Sequence, residues 1–242
     1  MKVRLPIVAV LFDFNGVLLE DEPCHWRAFG ETLRPHGVRI GRARYNARYL
    51  VFDDRTALRK MLRDERLDNA LFGRLLRRKR RVYARLARDL RIDRRSIRLV
   101  RRIARRAPVA IVSGATRREI GAALRRARLG RVFGAIVTAE DVERSKPWPD
   151  GYRLALRRLR LPAGSSCLAI EDSPGGVRAA RAAGCAVIGV ATTFPRAVLR
   201  RCGATQVVRR LGSLRVGEIP LPERRRKRAL PGARRRSSRR RS

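Results

Sequence analysis

Short apolar runs alternate with longer stretches of helical periodicity along most of the chain. Five runs are typical of buried strands: residues 6–12 (PIVAVLF), 109–112, 135–137, 167–170 and 186–190. A sixth run, at 205–208, is a further candidate. Because helical segments separate most of these runs, the pattern predicts an α/β fold with a Rossmann-like parallel sheet.

Capping signals set the ends of several predicted helices. The capping box at 116–119 (TRRE) opens a helix that we expect to end near Gly130. Ser173 caps a later helix that Gly184 closes. Asp93 is expected to cap the helix that precedes the second strand.

Between residues 20 and 92 the helical pattern is not interrupted by a strand. Apolar residues follow helical spacing here at Leu58, Leu62, Leu71, Leu75, Val82, Leu86 and Leu90. We therefore predict a core domain of residues 1–18 and 93–220, with a small helical domain of residues 19–92 inserted after the first strand.

The charge of the chain is strongly basic, with a formal net charge of +39 and 60 lysines and arginines. Only five of these are lysines (Lys2, Lys60, Lys79, Lys146 and Lys227), a bias typical of GC-rich coding sequences. Residues 224–242 contain eleven basic residues and no acid, which predicts a disordered basic tail at 221–242. Such a tail attracts polyanions, so non-specific nucleic acid is a candidate partner.

The cysteines and the N-terminus bear on the compartment. The four cysteines form no CxxC pair, which is typical of a reducing compartment. A signal peptide is the alternative interpretation of the first apolar run, but Pro6 interrupts that run and Asp13 ends it. Since no apolar stretch is long enough to span a membrane, we predict a cytoplasmic protein with no membrane partner.

Polar residues that can take part in catalysis or ligand binding lie at or near the ends of four of the runs. Their segments are 11–17 (LFDFNGV), 111–116 (IVSGAT), 145–150 (SKPWPD) and 169–176 (AIEDSPGG). Ligands bind at the carboxyl edge of parallel sheets, so these segments are expected to converge. Asp13 can attack phosphorus, although a turn residue is an equal interpretation. Ser113 and Gly114 precede a helix and can cradle phosphate, although an ordinary loop also fits.

The other two segments supply charge. Lys146 is retained where arginine has displaced most lysines, and a compact ammonium fits between a carboxylate and a phosphoryl oxygen. Glu171 and Asp172 offer the oxygen ligands that Mg²⁺ prefers. Asp172 could instead cap the following helix, but Ser173 already does so.

In order and approximate spacing, the four segments resemble the motifs of the haloacid dehalogenase superfamily over residues 6–215. The helical insertion resembles the cap of β-phosphoglucomutase and phosphoglycolate phosphatase relatives, and residues 21–25 (DEPCH) resemble the entry to that cap. The resemblance implies Mg²⁺-dependent hydrolysis of a small organic phosphate monoester, which is the expected partner, through an aspartyl-phosphate intermediate.

The resemblance also implies residue roles. Asp13 is the expected nucleophile. The expected phosphoryl-binding residues are Ser113, Gly114 and Lys146. The expected Mg²⁺ ligands are Asp13, Asp172, Glu171 (directly or through water) and the backbone carbonyl of Asn15. Within the cap, the expected specificity residues are His25 and Arg55, although an interface histidine and a solvated arginine are the alternatives.

One residue departs from the family pattern. Asn15 stands where the family has an aspartate that protonates the leaving group and then deprotonates the attacking water. An amide cannot shuttle a proton, and general acid–base catalysis contributes roughly 10²–10⁴-fold. We therefore expect slow turnover, another proton donor or a good leaving group. From the sequence alone, Asn15→Asp is expected to raise alkyl-phosphate turnover at least about tenfold.

Other functions remain open at this point. A carbon-attacking dehalogenase is disfavoured because Glu171 and Asp172 are present. A phosphonatase-like enzyme would use Lys60 or Lys79 as a Schiff base. The remaining alternatives are a phosphosugar mutase of the β-phosphoglucomutase kind and a catalytically weak, polyanion-binding protein of the same fold.

Overall fold

A computed structural model of the protein describes residues 6–162 and 164–222. Its six strands are β1 (Ala9–Phe12), β2 (Val109–Val112), β3 (Ala135–Val137), β4 (Cys167–Glu171), β5 (Ala186–Val190) and β6 (Gln206–Val208). All pairs are parallel, and the strand order is β3-β2-β1-β4-β5-β6. This order is that of Rossmann-like sheets, so the α/β prediction is confirmed.

Nine α-helices accompany the strands in the described residues. Four lie within residues 20–92, after β1: α1 (Glu22–Leu33), α2 (Arg42–Arg48), α3 (Asp54–Asp64) and α4 (Phe72–Leu86). The others are α5 (Arg94–Ala104), α6 (Arg117–Arg126), α7 (Asp150–Arg158), α8 (Pro174–Ala182) and α9 (Arg196–Arg201). Of the described helices, none is long and apolar enough to cross a membrane.

The sheet is buried on both faces because successive side chains of each strand point to opposite sides. Val10 and Phe12 pack with α5 and α6, while Ala9 and Leu11 pack with α7, α8 and α9. Strand β1 lies in the middle of the sheet, so its carboxyl end is surrounded by the loops of its neighbours.

The predicted helix caps are confirmed, but one predicted helix end is several residues too late. Asp93 and Ser173 accept hydrogen bonds from the first turns of α5 and α8. The capping box of α6 is present, but α6 ends at Arg126 rather than near Gly130. Arg128 adopts a left-handed φ of 54°, and the Leu129 amide then bonds back to the Leu124 carbonyl 2.9 Å away, which ends the helix.

The helical insertion (α1–α4) has a hydrophobic cluster of its own, which includes Leu58, Leu62 and Leu75. The predicted helical periodicity is correct there, although Leu90 lies beyond the end of α4. At the other end, Leu221 is buried in the sheet core, although the prediction placed it in the tail. Residues 223–242, the rest of the predicted basic tail, lie outside the described residues.

Candidate active site

The carboxyl edge of the sheet brings the predicted site residues together. Asp13 follows β1 directly, and its amide donates to the Ile170 carbonyl of β4 over 2.9 Å. The side chain is buried, and the residue is 6% exposed. Burial raises the pKa of Asp13 to about 7, and the Glu171 charge adds to this effect while Lys146 opposes it.

Lys146 is the centre of the charged cluster. Its Nζ donates to Asp13 Oδ1 over 2.6 Å, to Glu171 Oε1 over 2.5 Å and to the Val112 carbonyl over 3.0 Å. An ammonium has three hydrogens, so this geometry uses all of them. Burial lowers the pKa of Lys146, but the two carboxylates outweigh burial and raise it above its usual value.

Glu171 is fully buried, and both of its oxygens accept hydrogen bonds within the protein. Oε1 accepts from Lys146 and from the Tyr152 hydroxyl 2.7 Å away. Oε2 accepts from the Asp172 and Ser173 amides and from the Ser173 hydroxyl. Glu171 therefore positions Lys146 and orders the turn into α8.

Asp172 is buried beside the glycine turn that follows Asp13. A Cβ at Gly16 would lie 1.9 Å from Asp172 Oδ2, so only glycine leaves room for this carboxylate. Gly16 also has a φ of +74°, which favours glycine. Burial, together with the charges of Asp13 and Glu171, raises the pKa of Asp172 well above its usual value.

The three acids form a donor set that fits a hard cation. Oxygen atoms of Asp13, Glu171 and Asp172 all lie within 4.8 Å of one another. Burial is the main cause of the raised pKa values of Asp13 and Asp172, and the neighbouring carboxylates add to it because Lys146 supplies only one positive charge against three acids. Within the described residues, the backbone carbonyl of Asn15 accepts no hydrogen bond, so this oxygen is also available as a ligand. Carboxylate and carbonyl oxygens of this kind suit Mg²⁺.

Ser113 follows β2 and faces the same edge. Its hydroxyl accepts from the Ala115 amide over 3.1 Å and donates to Asn15 Oδ1 over 3.3 Å. Gly114 is exposed, and a Cβ there would meet nothing within 4 Å. The loop therefore offers a hydroxyl and an open stretch of backbone before α6.

The stretch of chain from β1 to α8 matches the family model described as haloacid dehalogenase-like hydrolase, over residues 7–184. The chain belongs to the haloacid dehalogenase-like hydrolases. It is therefore an enzyme, and the resemblance of its four motifs is confirmed at the level of the family.

Individual relatives of this hydrolase differ in how much they cover. Protein CbbY of Cereibacter sphaeroides is 34% identical over 74% of this chain and 81% of its own length. A crystal structure of a mutant CbbY from Rhodobacter sphaeroides, in complex with xylulose-(1,5)bisphosphate, is 28% identical with a TM-score of 0.74, covering 86% of this chain and 96% of that one. Glycerol-1-phosphate phosphohydrolase 1 of Saccharomyces cerevisiae is 38% identical over 34% of this chain. The chain spans 10% to 35% of the length of that enzyme and two other curated relatives.

In this hydrolase, the Asn15 amide lies between the sheet and the helical insertion. Its Nδ2 is 2.5 Å from Asp21 Oδ2 and 3.2 Å from His25 Nε2. Asp21 is buried, and the Tyr83 hydroxyl of α4 also donates to Oδ2. The insertion thus contacts the residue two positions after Asp13.

His25 continues this network into the insertion. Burial and Lys79 lower its pKa, but Asp21 and Asp54 outweigh them and raise the pKa of His25 to about 10. Nε2 of the ring faces Asp21 Oδ2 at 3.3 Å, and Nδ1 faces Asp54 Oδ1 at 3.3 Å. The Lys79 ammonium lies 2.7 Å from Nδ1 and contacts the same Asp54 oxygen.

A cleft of about 390 Å³ lies between the sheet edge and the insertion. Asp13, Asn15, His25 and Arg55 line it. Arg55 is exposed in the first turn of α3, and its guanidinium lies 5.9 Å from the centre of the Phe72 ring. Arg55 is therefore both solvated, as one interpretation has it, and part of the cleft lining, as a specificity residue would be.

The rim of the cleft carries the three exposed large apolar side chains of the described residues: Val51, Phe52 and Trp148. Trp148 is 53% exposed. The Arg144 guanidinium lies 4.6 Å from its ring centre, and two hydrogen bonds of 2.8 and 2.9 Å to Asp150 hold that guanidinium.

Sequence reasoning missed several residues that the structure places at the site. Two, Tyr152 and Gly176, surround Glu171, where a Cβ at position 176 would come within 2.0 Å of the carboxylate. Asp54 and Tyr83 belong to the network of the insertion. So do Asp21, which the sequence placed only at the entry to the cap, and Lys79, which it offered only as a Schiff base. For Lys79 a signal existed, because it is one of only five lysines in the chain.

Proposed function

We propose that this chain is a Mg²⁺-dependent phosphatase that hydrolyses small organic phosphate monoesters through an aspartyl-phosphate on Asp13. The observation that carries the proposal is the cluster at the sheet edge. A buried carboxylate, Asp13, is held by Lys146 beside a second acid, Asp172. Such a cluster combines a nucleophile with the positive charge that an anionic substrate needs.

The reaction has two steps on Asp13. An oxygen of the carboxylate forms a bond to phosphorus while the bond from phosphorus to the leaving oxygen breaks, and that oxygen takes up a proton. Water then forms a bond to the same phosphorus, the bond to the Asp13 oxygen breaks, and phosphate leaves. Since the Asn15 amide cannot transfer a proton, the proton for the leaving oxygen has to come from a group other than residue 15.

Other side chains bind and orient the phosphoryl group. The Ser113 hydroxyl and the backbone N–H of Gly114 donate to its oxygens, and Lys146 neutralises charge on Asp13 and phosphate. Mg²⁺, when bound, neutralises further negative charge on the phosphate. Asp13, Asp172 and the Asn15 carbonyl would hold it directly. Glu171 would support the metal site indirectly, by holding Lys146 or through a water, because protein donors already occupy both of its oxygens.

The insertion is proposed as a cap that covers the cleft and contributes His25 and Arg55 to substrate choice. Relatives support a small phosphorylated metabolite as substrate: one is named phosphorylated carbohydrates phosphatase, from Thermotoga maritima, and two are named glycerol-1-phosphate phosphohydrolases. Charged side chains in the lining of the cleft, such as Lys146 and Arg55, agree with an anionic molecule of this kind.

The test is phosphate release from a panel of phosphometabolites with Mg²⁺ present and after chelation. We expect Mg²⁺-dependent release that Asp13→Asn lowers by at least about 10³-fold, because the nucleophile is lost. The control is Asp68→Asn, which makes the same chemical change at an exposed position in the insertion. Undiminished activity in Asp13→Asn, or equal losses in both variants, would remove Asp13 from its role.

A further inference from the structure

The orientation of the Asn15 amide is fixed by what surrounds it. Its nitrogen faces the Asp21 carboxylate at 2.5 Å, and its oxygen accepts from the Ser113 hydroxyl at 3.3 Å. If the amide were flipped, its oxygen would face Asp21 Oδ2 and no hydrogen would lie between them. Only a donor at position 15 can therefore satisfy Asp21 in this geometry.

Asp21 is committed to this arrangement by its burial. Its side chain is 0% exposed, and Oδ2 also receives the Tyr83 hydroxyl and faces His25. Oδ1 is buried and has no hydrogen-bond partner in the described part of the chain. A carboxylate in such a place depends strongly on the donors it has, because each lost donor leaves a buried charge less compensated.

We infer that Asp21 is a positioning residue for Asn15, and that the amide at 15 and the carboxylate at 21 form one unit. Asp21 holds the amide with its oxygen directed toward Ser113 and the cleft, beside Asp13. A hydrogen bond to a charged acceptor also polarises the amide, which makes its oxygen a better acceptor for a hydroxyl or water in the cleft.

This unit changes what is expected of Asn15→Asp. The new carboxylate would replace a donor with an acceptor at 2.5 Å from Asp21, so two like charges would meet in a buried place. The acid is therefore accepted at position 15 only if the acid at position 21 is exchanged for an amide. Asn15→Asp with Asp21→Asn keeps the same set of side-chain groups and reverses the hydrogen bond between them.

The experiment is a double-mutant cycle of wild type, Asn15→Asp, Asp21→Asn and the double exchange, with melting temperature and the kcat and KM of an alkyl phosphate measured for each. We expect Asn15→Asp to lower both the melting temperature and kcat. Asp21→Asn should lower kcat more than it changes KM, because the substrate still binds while the amide loses its orientation. The double exchange should recover the melting temperature and exceed the kcat of Asn15→Asp by about tenfold or more.

A matched control separates direct contact from a general loss of negative charge. Asp54 lies on the other side of His25, so Asp54→Asn removes one charge nearby without touching Asn15. Asn15→Asp combined with Asp54→Asn should show no recovery. The kinetic part rests on the proposed function, whereas the melting temperatures do not and test the inference even if no phosphatase activity is found.

Two outcomes would overturn the inference. The first is an Asn15→Asp protein that is as stable and as fast as wild type, or faster, while Asp21 is still present. The second is additivity, in which the double exchange loses as much stability and kcat as the two single changes together. Recovery in the double exchange alone, and not with Asp54→Asn, establishes the unit.

Discussion

Two lysines contact buried or partly buried carboxylates, the half-buried Lys146 at the sheet edge and the fully buried Lys79 in the helical insertion. Lys146 contacts Asp13 and Glu171 in a cluster where acids outnumber the lysine. Lys79 is fully buried and contacts Asp54 and His25. Since the pKa of His25 is raised to about 10, the two cations Lys79 and His25 face the two carboxylates Asp54 and Asp21. The first cluster is left with excess negative charge, whereas the second is close to balanced.

This difference in balance indicates different uses. Buried charge that the protein does not neutralise is costly and persists where a ligand compensates it. Balanced burial instead holds elements together, and Lys79 also lies 4.8 and 4.9 Å from the ring centres of Phe29 and Tyr83, in α1 and α4. We therefore assign chemistry to the Lys146 cluster and packing of the insertion to the Lys79 cluster.

Exchanging each lysine for methionine is the strongest way to break the comparison. Lys146→Met should lower kcat/KM by at least about 10²-fold, since it removes charge from the phosphoryl site. Lys79→Met should lower kcat/KM much less. It should still destabilise by about 3 kcal/mol, because Asp54 loses its lysine partner and keeps only His25. Kinetics and thermal melting of both variants check this, and equal kinetic losses would show that the two clusters are not different in use.

The glycine turn provides a second test on the sheet side. Gly16→Ala should be strongly destabilising, because the left-handed φ costs about 1–2 kcal/mol and the new Cβ also meets Asp172. Gly37 is the matched control, since it has a φ of +76° and open space around its Cβ position. Thermal melting should show a clearly larger loss for position 16. Equal losses would mean that strain alone, and not the approach of Asp172, requires glycine.

The sheet side was largely predictable because most of its predicted residues lie at or just after the end of a strand. Asp13, Ser113 and Glu171 lie where apolar runs end, and the parallel arrangement alone brings such positions to one edge. Lys146 was predictable for another reason, because it is one of few lysines in an arginine-rich chain.

The network of the insertion was not predictable in the same way. Helical periodicity identifies apolar faces, and a charged residue between them is normally read as solvated. Lys79 and Asp54 come from different helices, and nothing in their spacing shows that both turn toward His25. The contact of Asp21 with Asn15 depends on the turn that follows β1, which the apolar pattern does not determine.

Metal binding should sharpen the difference in charge balance. With Mg²⁺ at about 100 times its Kd, wild type should gain about 2.7 kcal/mol of stability, and Asp172→Asn should lose most of that gain. Because the pKa of Asp13 is raised from 3.8 to about 7, the metal-free protein should lose stability as pH rises through that range. Mg²⁺ should reduce this loss. Glu140→Gln, at another acid of the cleft, is the control, and an unchanged shift in Asp172→Asn would contradict the assignment.

The smallest expected effect concerns the rim, where Trp148 lies on the sheet side and Phe52 on the insertion. The Arg144 guanidinium fixes the indole, so this ring is a rigid apolar contact for the part of a substrate that leaves the cleft. Aromatic contacts contribute about 0.5–1.5 kcal/mol, which corresponds to roughly two- to tenfold in kcat/KM. Trp148→Ala should therefore lower kcat/KM for p-nitrophenyl phosphate by that factor, and lower it less for glycerol phosphate, whose polyol has no ring to stack.

Phe52→Ala should have a smaller effect than Trp148→Ala, because no comparable guanidinium contact to its ring is found in the described residues. Equal losses on both substrates would show that Trp148 shapes the cleft without selecting the leaving group.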